Sequence, residues 1–542
     1  MQGNVKKIFY RVSMIVLFFA TLFLSVYFSR NACFCGEDFN FATYFQNESV
    51  FDCLFGESRF QHGGYYVGLF LCKFLSFGLP NMLSLHPSDF IGEGQGWFKG
   101  IFLFLILLNL ANFSVICSKN LLLKLTTFVF AFSYLFYYAG LSHGLCVNYT
   151  FYRYVFSLLF FGIFVFTICK NIFSKSENYN NQKCFLLAIN AFVLGTSLEV
   201  LSLTALFFSF GLIVHNIFTK LIGLLRQNEN RLFLSKSFYI SFVSLLLGMA
   251  LFYSNTGTQN VIFDRTNGIF DLHSLKEYLL LFNQVCISDV EPILIAITVL
   301  LLVALYFGFK GKEYRHIFVP MMLLASIYVF MLVLYFCGKS FDEFTRDRYY
   351  LCHFNIVLAF KLLLLYPMLL LVGYCYDKVS TTVNVKWLKI ACVSAIYIGL
   401  GISACCFASK IFVENLNSDS AVEMVDLRKN FYMTEKILRF YYLKNQQPII
   451  PLYPVVPEFV SADYTKQYCS DGLCETVKCY ENHSLSSSYY YRVYKDENAL
   501  KYGFCTSNNA LKYYENNGGI FDEFELENPK FSRLFDENFV LK

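Results

Sequence analysis

The sequence predicts an all-α polytopic membrane protein of about eleven transmembrane helices, followed by a small mixed α/β extramembrane region. Three observations predict it. First, 56% of the 542 residues are hydrophobic and only 15% charged, with a mean hydropathy of +0.47, a balance that suits lipid surroundings rather than water. Second, apolar runs long enough to cross a bilayer recur from residue 8 to residue 408. Third, Lys and Arg gather in short clusters in alternate connections, as the positive-inside rule requires of a chain with one fixed orientation.

A spanning helix needs roughly 20 mostly apolar residues, and the runs that qualify lie near 8–28, 97–117, 121–140, 154–170, 184–200, 201–219, 237–253, 291–309, 317–337, 351–375 and 389–408. With Lys6 and Lys7 on the cytoplasmic side, the inside connections carry Lys119 and Lys124, then Lys170, Lys175 and Lys183, then Lys220, Arg226, Arg231 and Lys236. Lys310, Lys312 and Arg315, followed by Lys378, Lys386 and Lys389, complete the pattern. The first run is long, and no small-x-small site follows it before "SRNACFC", so it reads as an uncleaved anchor. "YYVGLFLCKFLSFGL" at 65–79 contains Lys73 and stops at Pro80. It is too short to span and fits an interfacial or re-entrant helix in an external loop over 29–96.

Residues 1–409 therefore form a membrane domain, and 410–542 an external one. Past residue 410 the chain turns polar, passes through "QQPIIPLYPVVPEF" and continues rich in Tyr, Asn and acids, which predicts short strands and loops. The net charge of +5 is small for this length and its basic residues form no stripe, which argues against a nucleic-acid surface.

In this topology the polar outliers fall on the external face. Glu37 and Asp38 follow the first span, and Arg59 and His62 lie in "ESRFQHGGYY". Arg153 lies in "VNYTFYRY" and Glu199 at the end of the fifth span. Arg265 lies in "FDRTNG", and Arg346 and Arg348 in "FTRDRYY". Each has two readings. The acid pair caps the helical stretch "FNFATYFQ", since carboxylates favour helix N-termini by about 0.3–1 kcal/mol, or it belongs to a site. Glu199 in an apolar zone costs about 3 kcal/mol unless paired, hydrated or shallow. Arg346 and Arg348 either anchor at headgroup level or clamp a phosphate, which arginine binds through paired donors. Lys361 lies within the tenth run, and His62 reads as structural. No metal-binding spacing such as H-E-x-x-H is present.

Cys469, Cys474, Cys479 and Cys505 lie in the C-terminal region. Their spacing is unusual for zinc, and in an oxidising compartment they predict two disulfides of undetermined pairing.

Taken together, an uncleaved first helix, an acid pair opening the first external loop, helices lying along the membrane in that loop and many further spans resemble the GT-C class of integral-membrane glycosyltransferases. "GEDFNF" followed by "FQHGGYYVGLFLCKFL" is similar to the bacterial O-antigen glucosyltransferase-like families. The motif content covers roughly the first 90 residues, and the remainder matches in topology and in the acid of "GTSLEV". Where those families often have Gly-Arg, this chain has Gly63-Gly64, so that arginine's role passes to Arg59 or is absent. The resemblance implies transfer of a sugar from a polyprenyl-phosphate-linked donor to a glycan, lipid or protein acceptor on the external face of a bacterial inner membrane, with inversion. It implies Asp38 as general base or as ligand of a divalent metal such as Mg or Mn, with Glu37 assisting. It also implies arginines that neutralise the departing lipid phosphate.

Two other classes fit parts of the sequence. An O-antigen polymerase or ligase would use Arg346 and Arg348 but leaves the acid pair unexplained. A lipid or polysaccharide flippase would place ionisable groups deep in the spans and carry repeat symmetry, whereas most candidates here sit at one face.

Overall fold

The computed structural model describes residues 2–29, 70–71, 73–83, 93–138, 151–174, 181–197, 199–225, 234–254, 288–311, 313–336 and 360–411. Among these residues every regular element is helical, and there is no strand. Eleven helices of 15 residues or more follow in order: α1 (Gln2–Ser29), α2 (Glu93–Phe113), α3 (Leu121–Tyr138), α4 (Ser157–Ser174), α5 (Asn181–Gly195), α6 (Glu199–Leu225), α7 (Lys236–Tyr253), α8 (Ser288–Gly311), α9 (Arg315–Phe336), α10 (Leu365–Thr382) and α11 (Lys386–Lys410). Each apolar run overlaps one of them, the run 184–200 reaching across into α6 and the first part of 351–375 lying outside the described residues. Seven stretches are long and apolar enough to cross a membrane: within α1, α2, α6, α7, α8 and α11, and over Phe360–Thr382, which includes α10. Apolar stretches in α3, α4, α5 and α9 are shorter.

The helices alternate in direction. The start of α2 packs on the end of α1, where a Cβ on Gly96 would come within 2.6 Å of the Val26 Cα. Phe28 and Phe136 bring the end of α3 to the same place. Tyr366 donates to the Leu158 carbonyl and so aligns the starts of α10 and α4. At the opposite end Arg315 donates to the Ile172 carbonyl, joining α9 to α4. We call the end where α1 begins the near end and the end where it finishes the far end. The connections at the near end, 114–120, 175–180, 226–235, 312–314 and 383–385, are short, whereas 30–92, 254–287 and 337–364 all attach at the far end.

Glycines set two close helix contacts. Gly195 of α5 and Gly248 of α7 face each other, a Cβ on Gly195 lying 2.4 Å from the Leu245 carbonyl oxygen and one on Gly248 lying 2.3 Å from that of Phe192. In lipid, where helix association depends on packing more than on burial, such small-residue contacts let backbones approach. The core gathers around α10: 83% of the best window in Phe360–Thr382 is buried, against 11% for α11. An exposed apolar face like that of α11 belongs against lipid.

At the near end polar groups are matched in pairs. Asn120 caps α3, its Oδ1 accepting from the Leu122 amide at 2.8 Å and the Leu123 amide at 3.2 Å, and its Nδ2 donates to the Tyr376 hydroxyl. Lys378 Nζ lies 2.8 Å from both carboxylate oxygens of Glu313. Asn171 donates to Ser235 and Ser237.

The structure places Glu199 differently from the sequence reading. The fifth apolar run stops at Gly195, because Thr196 and Ser197 turn back on it, both hydroxyls donating to the Val193 carbonyl. Glu199 therefore opens α6 instead of closing the helix before it. Lys361, near the middle of the run 351–375, is the second residue of the described apolar span Phe360–Thr382, in the helical turn before α10, and residues 351–359 lie outside the described residues. The C-terminal region from 412 on, with its expected strands, lies outside the described residues.

Candidate functional site

The far end of α2 is built from two interleaved pairs. Gly96 and Gly100, one turn apart, lie against α1, where Cβ atoms would meet Val26 and Leu22. Gln95 and Lys99 each precede one of these glycines, so they share a face rotated by about 100° from the glycine seam. Both side chains are 0% exposed. Once the glycines fix α2 on α1, that second face is committed to the segment 73–83 and to the turn before α4.

Gln95 serves both neighbours at once. Its Nε2 donates to the Leu75 carbonyl, and its Oε1 accepts from the Tyr152 hydroxyl at 2.6 Å. Tyr152 lies on a π turn, Phe151–Val155, a wide turn that recurs near functional sites. A second π turn, Phe74–Gly78, runs into the short helix Leu79–Met82. The Lys99 Nζ sits 5.7 Å from the centre of the Phe151 ring, a cation–π distance. In the segment expected to lie along the membrane, Lys73 and Leu75 are buried while Met82 and Leu83 are exposed.

Lys73 at 3%, Lys99 at 0% and Lys361 at 7% exposure put three buried lysines at this end. Each makes at least one polar or ring contact. Tyr134, itself 0% exposed, donates to the Lys361 carbonyl at 2.9 Å and ties the turn before α10 to α3. Removing an ammonium group from water costs several kcal/mol, so such groups are retained where acceptors or opposite charge surround them.

Of the residues singled out in the sequence, Arg153 lies on the π turn beside Tyr152 and Glu199 opens α6, so both backbones stand at the far end. Glu37, Asp38, Arg59, His62, Arg265, Arg346, Arg348, Cys469, Cys474, Cys479 and Cys505 lie outside the described residues. The segments holding Glu37, Asp38, Arg59, His62, Arg265, Arg346 and Arg348 leave and rejoin the bundle at helix termini of the far end. Gln95, Lys99 and Tyr152 escaped the sequence reading. A signal for Lys99 was present, a lone cation inside an apolar run with Gln one turn earlier; Tyr152 offered none in a chain with 39 tyrosines.

No family model, curated protein or solved structure matches this chain. What the described geometry shows is a buried cluster of amide, hydroxyl and ammonium groups, Gln95, Tyr152 and Lys99, at the end of the bundle where the long connections attach. Among the described residues no group of three His, Cys, Asp or Glu side chains is placed to hold a metal.

Proposed function

We propose that this protein is a membrane glycosyltransferase that moves a sugar from a polyprenyl-phosphate-linked donor to a glycan, lipid or protein acceptor, working at the far end of the bundle. The observation that carries the proposal is convergence: three buried lysines and the long connections with the acid pair and the arginines belong to one end. The four shorter apolar helices join the seven long ones as spans, giving eleven. With the lysine-rich near end in the cytoplasm of a bacterial cell, the far end faces outward from the inner membrane.

In this reading Asp38 accepts the proton of the acceptor hydroxyl as the oxygen attacks the anomeric carbon, with Glu37 beside it. The lipid phosphate leaves from the opposite side, and arginine or lysine neutralises the negative charge it gains. The configuration at the anomeric carbon inverts. Where Asp38 instead holds a divalent ion, it is not the base, and that ion would supply electrostatic stabilisation of the leaving phosphate.

The test is an assay of the purified protein with a panel of polyprenyl-phosphate sugars. Asp38→Asn should lower turnover by about 100-fold or more, the usual size of a general-base contribution, with Glu37→Gln losing less. Absence of turnover and of binding with every such donor overturns the proposal. Transfer that survives Asp38→Asn and Glu37→Gln but is abolished by Arg346→Ala or Arg348→Ala replaces it with a polymerase or ligase of the O-antigen type.

A further inference from the structure

The chain has two tryptophans, and the fold sends them to opposite ends. Trp97 lies in the first turns of α2 at the far end, 53% exposed, and Trp387 begins α11 at the near end, 71% exposed. The run of α11 is fixed by its last residue: Lys410 Nζ lies 5.2 Å from the centre of the Tyr137 ring, at the far end of α3. From Trp387 to Lys410 the helix therefore spans about 34 Å, which fits a hydrocarbon core of about 30 Å with its boundaries. Between these levels the outward faces are apolar. On α1 they run from Ile8 to Phe23 and on α8 from Ile295 to Phe309.

We infer that Trp97 and Trp387 lie in the two headgroup layers of the bilayer, so that the Gln95–Lys99–Tyr152 cluster stands at headgroup depth. Indole is amphipathic and settles where ring and N–H meet apolar and polar surroundings together. Lys99 follows Trp97 by two residues, about 3 Å along the axis, so the buried ammonium lies at the boundary and not in the middle of the membrane. This placement rests on the membrane reading alone and stands or falls separately from sugar transfer.

The test is depth-dependent fluorescence quenching after reconstitution into phosphatidylcholine vesicles brominated at different points along the acyl chain. The unsubstituted chain reports both indoles, and Trp97→Phe and Trp387→Phe leave one each. Quenching of each that is strongest with bromine near the ester carbonyls, and weakens as bromine moves toward the bilayer centre, is the expected result. Strongest quenching by central bromines, or no quenching at any depth for either indole, overturns the inference. The unsubstituted protein must show the same shallow profile, so a variant that fails to fold leaves the test decisive.

Discussion

The two ends of the bundle solve the problem of polar groups beside lipid in different ways. At the near end, short connections hold small matched sets: Asn120 with the α3 amides and Tyr376, Glu313 with Lys378, and Asn171 with two serines. These contacts join one helix terminus to its neighbours, although His316 Nδ1 and the Tyr374 hydroxyl beside them are buried without a hydrogen-bond partner. At the far end, three lysines are buried where the long connections attach. Burial of cations is costly unless acceptors or opposite charge surround them, and each of these lysines has a contact of its own. The difference separates polar groups that close the fold from those that are candidates for work on a ligand.

Substitutions at each end can break or sharpen that contrast. The largest effect is expected from Gly96→Leu, whose new side chain would run into the α1 backbone at Val26; overpacking of about 3 kcal/mol should lower the thermal unfolding temperature in detergent and remove activity together. Gln95→Leu deletes the bonds to Leu75 and Tyr152. It should cost about 1–2 kcal/mol, and transfer should fall further than the stability loss explains, read as kcat at a temperature where the variant remains folded. At the near end Asn120→Ala should cost a similar 1–2 kcal/mol through the lost cap while kcat stays at the unsubstituted value. An equal fall in kcat for both variants would erase the proposed division between the ends.

The smallest effect is expected at Glu313, and it carries a pH signature. Burial alone pushes its carboxyl up, but the hydrogen bond and charge of Lys378, with His316 and Arg315, outweigh that and hold it below the ordinary 4.5. A carboxylate depressed on folding adds stability above its unfolded value, and the contribution is lost as pH falls through its folded value. The stability gap between the protein and Glu313→Gln should thus be present at neutral pH and shrink below about pH 4.5. With Glu313 about a third exposed, solvent screening keeps the gap below about 1 kcal/mol. Equilibrium unfolding across that pH range measures it.

The helices were legible in the sequence because a bilayer leaves few options: apolar segments of this length must satisfy their own backbone, and a helix does so within one segment. Wherever the runs lie among the described residues they are largely helical for that reason. Finer placement depended on single side chains. Hydropathy carries the fifth run past Gly195, but the Thr196 and Ser197 hydroxyls end it early and so move Glu199 into the next helix. Lys361 lies within a long run in the sequence, and in the structure it is the second residue of the described span Phe360–Thr382. The Gln95–Lys99 face was hidden since its meaning comes from which side of α2 the glycines turn toward α1, a fact of packing. For the candidate site the sequence supplied the acids and arginines of the connections, while the structure supplied the buried floor beneath their points of attachment.

The Gly195–Gly248 contact has a consequence for biogenesis. It joins α5 to α7, while α6, synthesised between them, packs mainly on α9, its Gly211 against Met322, and less on α5 and α7. A ribosome therefore delivers α5, one of the shorter helices, well before the surface that receives it. Until residue 248 has emerged and entered the membrane, α5 depends on what already stands beside it, chiefly α4, through the bond from Asn190 to the Phe160 carbonyl.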